Sequence, residues 1–319
     1  MAKHLISILQ LGTVDYATAL RLQEKLVALR KDGRIGDVVL LLEHTPVITL
    51  GRNAQAKNIL ASTELLAQRG VEVFECDRGG DVTFHGPGQL VAYPILDLRD
   101  FPSDSTARKS LGVVEYVRRL EKVLIRTCAD FRIPAKRIPG LTGVWTGEDA
   151  RRSTISNVAA PSAAQATTAD ATTADATRAA DPTPAHVGTG ALTRPAESKT
   201  QHFSDAPEAK IAALGVHLSR GVTSHGIALN VNTDLSFFNL IVPCGIEAKP
   251  VTSMAKELAR AIPLQDVAHS LSHNFGSVFA SQILWLDDLD ALLGKNLGVP
   301  MKPPENLRKL RAEDDPAWA

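Results

Sequence analysis

Residues 210–218 and 223–232 form two strand-like runs on either side of Ser219-Arg220-Gly221-Val222, and a two-residue turn between them would set every pairing at once. With Arg220-Gly221 as that turn, Val216 faces His225, Leu214 faces Ile227 and Lys210 faces Val231. Side-chain parity then puts Lys210 on a face with Leu214, Val216 and Leu218. His225, Ile227, Leu229 and Val231 fall on the same face of the pair. A lysine is therefore predicted to point inward. From the start of its strand it either snorkels to water or is paired or functional. His225, taken by itself, reads as a hydrogen-bonded core histidine.

Elsewhere strand and helix patterns are interleaved. Residues 5–9 read as a first strand rather than a secretion leader, because Gln10, Gly12 and Asp15 interrupt the apolar run. Ala19, Leu22, Leu26 and Leu29 then recur at helical spacing behind a cap at Asp15, with Gly33 as the stop. Residues 38–42 form a continuous apolar run expected of a strand buried on both faces, and 47–50 continue as another. A short helix begins near Ser62, and 71–76 alternate before the glycine-rich segment at Arg78. Val113, Val117, Leu120, Leu124, Cys128 and Phe131 share one helical face, which makes Cys128 a core residue. Arg118, Arg119, Lys122 and Arg126 occupy the opposite face, read as solvated rather than as a docking surface. Leu264, Val267, Leu271, Phe275 and Val278 mark a terminal helix; His269 and His273 on it have a metal-compatible spacing but no evident third ligand.

Between 148 and 207 the pattern stops. Thr167-Thr168-Ala169-Asp170-Ala171 is repeated at once as 172–176, and large apolar side chains nearly vanish, so ordering this stretch could not offset its lost chain entropy. The expectation is one catalytic domain over 1–290 with a disordered insertion at 148–207 in a loop of its sheet, and a tail at 296–319. Loop closure costs only about 0.6 kcal/mol per doubling of length, so the core tolerates the insertion.

Bulk properties exclude several function classes. Thirty-five Lys and Arg balance 35 Asp and Glu, so no global field draws the chain to nucleic acid or an anionic membrane, and no stretch is long and apolar enough to span a bilayer. The three cysteines, Cys76, Cys128 and Cys244, are an odd set without a CxxC pair; this argues against disulfides or structural zinc and fits a reducing cytoplasm.

Chemistry gathers in two places. Arg78-Gly79-Gly80-Asp81-Val82-Thr83-Phe84-His85-Gly86-Pro87-Gly88-Gln89 fits neither a Walker A loop nor a dinucleotide fingerprint; its glycines and hydrogen-bonding side chains suit a loop lining a substrate cleft better than a plain hairpin. Cys244, between Pro243 and Gly245, lies on a bend outside any apolar face and is the candidate nucleophile. A free thiol is only a few per cent thiolate at neutral pH. Lys210 could raise that fraction as a neighbouring ammonium, or take the proton as a neutral amine; the residues leave both microstates open.

The glycine-rich segment, together with Lys210-Ile-Ala-Ala-Leu-Gly215, Ser224-His225-Gly-Ile-Ala-Leu-Asn230 and Ile241-Val-Pro-Cys244-Gly-Ile246, closely resembles the lipoyl(octanoyl) transferase family. Glu43-His44-Thr45-Pro46, Leu50-Gly51-Arg52 and Gly140-Leu-Thr-Gly-Val-Trp145 extend the match. The resemblance implies an α/β fold, the mixed-sheet catalytic core shared with biotin and lipoate protein ligases. It implies transfer of octanoyl from octanoyl-acyl carrier protein to the acceptor lysine of lipoyl domains, those of 2-oxoacid dehydrogenase complexes and the glycine cleavage H protein, without a cofactor. By the same resemblance Cys244 carries the acyl-thioester and Lys210 lowers its pKa, while Arg78 to His85, Ala213, Leu214 and Gly215, and Gly226, Ile227 and Ala228 line the acyl site. The rival is an ATP-dependent lipoate or biotin protein ligase on the same fold, which needs no cysteine nucleophile. A non-catalytic acyl-protein binding module is the other alternative, and the presence of both Cys244 and Lys210 weighs against it.

Overall fold

The computed structural model describes residues 4–104, 106, 108–147, 208–243 and 249–293. The predicted insertion at 148–207, the tail at 296–319 and Cys244 itself lie outside them.

The main sheet is mixed and runs β11-β1-β2-β6-β10-β9-β8-β7. Its strands are β1 (His4–Val14), β2 (Asp37–His44), β6 (Gln89–Ile95), β7 (Lys136–Ile138), β8 (Leu141–Thr146), β9 (Ala209–Ser219), β10 (Val222–Asn230) and β11 (Ser281–Leu286). β1 pairs in parallel with β2 and β11, and the other pairs are antiparallel. A smaller sheet, β4-β3-β5, joins β3 (Val47–Leu50) to β4 (Glu72–Glu75) and β5 (Val82–His85).

The central strands are apolar on both faces because both are covered. Val38, Leu40 and Leu42 pack with Ala19, Leu22 and Leu26 of α1 (Tyr16–Lys31), whereas Val39 and Leu41 pack on the other face. That second face receives Tyr116, Leu120 and Leu124 of α3 (Val113–Asp130), which follows α2 (Thr63–Gln68) in the chain. It also receives Val267, Leu271 and Phe275 of α5 (Leu264–Val278), preceded by the short α4 (Met254–Leu258). Asp15 caps α1 as expected, its carboxylate accepting the Thr18 N–H at 3.0 Å, an interaction worth about 1 kcal/mol. Ser62 caps α2 in the same way.

Cys128 is fully buried, and burial, then Glu257 and Asp130, pushes its thiol up to about 12, so it is packing rather than chemistry. The basic face of α3 is tied down within the chain: Arg119 pairs with Glu115 at 3.0 Å and Asp104 at 3.1 Å, and Arg118 pairs with Glu121 at 2.7 Å.

The β9–β10 hairpin has the predicted register at Val216 opposite His225 and Leu214 opposite Ile227, around a turn in which Arg220 and Gly221 both have positive φ, but the predicted pair Lys210–Val231 does not form: the ladder ends at Ala212 opposite Leu229, and Lys210 bridges Val251 instead. Two local departures correct the parity argument. Between β8 and β9 the register slips, with Val144 opposite Ala212 but Trp145 opposite Lys210, so Ile211 is an extra residue. Ile211 and Ala212 therefore both enter the α3/α5 core, and Lys210 joins Thr83, Ala228 and Asn230 instead of Leu214 and Val216. His225 takes φ of 54°, which turns its ring to Tyr93, on the α1 side, and away from Ile227 and Leu229.

β10 runs unusually close to β6 at Gly226, where an added Cβ would lie 2.2 Å from the Ala92 carbonyl and 2.6 Å from Pro94 Cδ. Gly226→Ala is expected to cost about 3 kcal/mol by overpacking two central strands, read as a lower urea midpoint with an unchanged m-value.

Candidate active site

Three of the predicted segments meet in one pocket, with a cavity volume of about 40 Å³. Arg78, Gly80, Asp81, Thr83 and His85 form one wall; Ala213 to Gly215 of β9 and Gly226 to Ala228 of β10 form another. Strand alternation divides the glycine-rich segment. Thr83 and His85 face the pocket, whereas Val82 and Phe84 turn into a separate apolar cluster with Ile48 and Phe238. Gly79 acts through its backbone, donating to the Val216 carbonyl at 3.1 Å and so stitching the loop to β9. The Arg78 guanidinium is held by Thr49, with Nε on Oγ1 at 3.0 Å and Nη2 on the carbonyl at 2.6 Å.

Lys210, only 7% exposed, lines a second, smaller cavity that shares Thr83, Ala213 and Ala228 with the first. Pro243, the residue before the candidate nucleophile, lines this same cavity. On the other side of that cysteine, the Pro250 carbonyl accepts the Lys210 N–H at 2.8 Å, and Thr252 N–H returns to the Lys210 carbonyl at 2.9 Å. The described chain thus reaches Lys210 from both directions.

A polar spine joins the two cavities, and two backbone carbonyls set its polarity because they can only accept. Asn230 Nδ2 donates to Thr252 O at 3.0 Å, which leaves its Oδ1 for Gln89 Nε2 at 2.9 Å; that amide also donates to Phe84 O at 3.1 Å. Gln89 Oε1 must then accept from His85 Nδ1 at 2.7 Å, so the remaining His85 nitrogen carries a lone pair. His44 is fixed likewise: Nδ1 donates to Val14 O at 2.8 Å and Nε2 accepts from Tyr93 Oη at 2.6 Å.

Burial, then His44 and Arg78, holds His85 down at about 3, and burial against the Val14 hydrogen bond holds His44 at about 4. Both rings are neutral near pH 7. At the pocket's outer end Asp77 bridges two imidazoles, His225 Nε2 at 2.6 Å and His217 Nδ1. Burial works to raise Asp77, but the hydrogen bonds and charges of His225 and His217 hold its carboxyl below its ordinary value. His225 is lowered by burial despite Asp77.

Sequence reasoning did not single out Tyr16, Tyr93, Asp77 or His217 as site residues. Tyr16 and Tyr93 line the pocket, whereas Asp77 and His217 adjoin it through the hydrogen bond of Asp77 to His225, and all four come there through tertiary packing. Gly143 and Trp145 stood in a motif, with no role attached. Among the described residues no group of three or more His, Cys, Asp or Glu could hold a metal, and no helix is long and apolar enough to cross a membrane.

Fold and pocket define an α/β domain whose sheet carries a cavity lined by a buried lysine. Residues 15–276 match the model of the lipoyl protein ligase A/B catalytic domain, and the chain belongs to that family. It is similar to the octanoyltransferase of Koribacter versatilis, 49% identical over 97% of this chain and 98% of that protein. It is also similar to the octanoyltransferase of Acidobacterium capsulatum, 47% identical over 90% and 96%. Within the family it is an acyltransferase. Among solved structures, a lipoate-protein ligase A bound with ATP shares the fold at 14% identity and a TM-score of 0.53, covering 90% of this chain and 89% of that one. A bi-partite lipoate protein ligase from Thermoplasma acidophilum shares it at 13% identity and 0.55, covering 99% and 100%.

The neutral histidines carry a stability consequence. Their folded-state pKa values lie below the unfolded value of about 6.5, so their contribution is complete above that value and is lost as pH falls toward the folded values. Between pH 7.5 and pH 5 the unfolding free energy is expected to drop by about 2 kcal/mol for each of His44 and His85. Urea titrations at the two pH values check this, and His44→Asn should remove its share of the slope.

Proposed function

We propose that the protein takes octanoyl from octanoyl-acyl carrier protein, holds it as a thioester on Cys244, and passes it to the acceptor lysine of a lipoyl domain. Lipoyl domains of 2-oxoacid dehydrogenase complexes and the glycine cleavage H protein are the acceptors. The observation that carries this reading is the shared cavity of Lys210 and Pro243. Pro243 is bonded directly to Cys244 in the chain, and that adjacency in sequence supports the reading. The names of the octanoyltransferase relatives support the same acyl group.

The chemistry balances without ATP. The Cys244 thiolate attacks the carrier thioester carbonyl, the tetrahedral intermediate expels the carrier thiolate, and Lys210 supplies the proton that makes it a thiol. The acceptor amine then attacks the Cys244 thioester and loses its proton to Lys210 as the amide forms, and the cysteine thiolate is regenerated. An ammonium about 4 Å from a thiolate favours the anion by about 4 kcal/mol at an effective dielectric near 20, before desolvation opposes it. The acyl chain extends from that point along Ala213, Ala228 and Thr83 into the larger pocket, whose buried imidazoles carry no charge to repel it. A reactive free thiol suits a reducing cytoplasm.

Incubation with octanoyl-carrier protein in the absence of ATP, followed by intact-mass measurement, is expected to show one hydroxylamine-labile octanoyl adduct. Cys244→Ser abolishes it and Lys210→Met slows its formation at least 100-fold. An adduct that survives Cys244→Ser, or that forms only with ATP, refutes the thioester route.

A further inference from the structure

The acyl pocket has two ends. At one it shares Thr83, Ala213 and Ala228 with the Lys210 cavity. From there β10 continues along it through Ile227 and Gly226 to His225, the last β10 residue in its lining. Three residues of strand span about 10 Å, close to the reach of an extended eight-carbon chain.

His225 stands at that outer end in an uncommon conformation. Its φ of 54° lies in the left-handed region, and a residue other than glycine persists there only where its surroundings fix it. Two hydrogen bonds do so. Its N–H donates to Gln23 Oε1 at 2.8 Å, and its Nε2 meets Asp77 Oδ1 at 2.6 Å. The ring also lies edge-on to Tyr93, with centroids 6.3 Å apart.

The bridge is polarised from its exposed side. Arg52 Nη2 can only donate, so His217 Nε2 accepts it at 3.3 Å and His217 Nδ1 carries the proton that Asp77 Oδ2 accepts. The Asp77 side chain is half exposed whereas that of His225 is 3% exposed, so the carboxylate holds the ring from the solvent side. The loop that follows Asp77 is pressed onto the hairpin: a Cβ at Gly215 would lie 2.7 Å from the Gly79 carbonyl. The ring closes this end of the pocket, and the bridge keeps it there.

We propose that His225, held by Asp77, is the end stop of the acyl pocket and sets the longest chain that the protein accepts. This deepens the proposed function and rests on the acyl chain lying along β10.

The test is transfer by the full chain of octanoyl, decanoyl and dodecanoyl groups from their carrier-protein thioesters to a lipoyl domain, with kcat/KM read for each from intact masses. The ratio of dodecanoyl to octanoyl is expected to rise about ten-fold in Asp77→Ala, which frees the ring. His225→Gly removes the ring at a position whose backbone angle glycine adopts without strain, so the test does not hang on the folding of Asp77→Ala, and it raises the ratio by at least as much. Asp77→Asn keeps an acceptor for the His225 Nε2–H and stays close to the parent ratio. A merely structural role would lower kcat/KM at every chain length alike. With octanoyl transfer present in the parent protein, that uniform loss, or a ratio unmoved in the folded variants, overturns the end stop and leaves the acyl reading standing. Absence of octanoyl transfer in the parent overturns the proposed function and this proposal with it.

Discussion

An ammonium group in a nearly closed cavity is the constraint to which the surrounding elements answer. Lys210 can be aimed there only because β9 carries one residue more than β8 opposite it, and that extra residue turns the side chain from the α3/α5 core to the pocket face. The strand is then clamped from its free side by residues 250–252, so the bulge cannot relax by sliding. Desolvating a cation is costly, and the aromatic face of Trp145, 5.3 Å from the ammonium, answers part of that cost locally.

The two ends of the site differ in electrostatic character, and burial is the cause. Deep in the pocket His44 and His85 are stripped of water on all sides, lose affinity for a proton and act as neutral polar wall. At the outer end Asp77 is half exposed and keeps its charge, bridging His217 and His225 and so fastening the start of the glycine-rich loop to the hairpin. Between these ends the His85–Gln89–Asn230 spine ties the loop to the Thr252 carbonyl beside Lys210. A change at the loop is thereby coupled to the lysine through three fixed hydrogen bonds.

Much of this was legible in the residues because it depends on neighbours in sequence. The Asp15 and Ser62 caps, the Arg220-Gly221 turn and the burial of Cys128 follow from local chemistry or from periodicity within one element. The face occupied by Lys210 was not legible. Hairpin parity assumes an unbroken ladder, and the break is imposed by β8, which lies on the far side of residues 148–207. His225 escaped the same argument because one residue in the left-handed region reverses the side to which its ring turns. The arginines of α3, read as solvated, are partly engaged by Glu115, Glu121 and Asp104, partners that helical periodicity does not reveal.

The sequence by itself determined which chemistry is available: a thiol on a bend, an amine at a strand's start, and glycine-rich segments that admit a ligand close to the backbone. Those are properties of residue type and short spacing. Only the tertiary structure decided where the amine points, which histidines lose their charge and which aromatic ring faces the lysine. Each of these depends on desolvation and strand register, and both arise when segments distant in the chain exclude water between them.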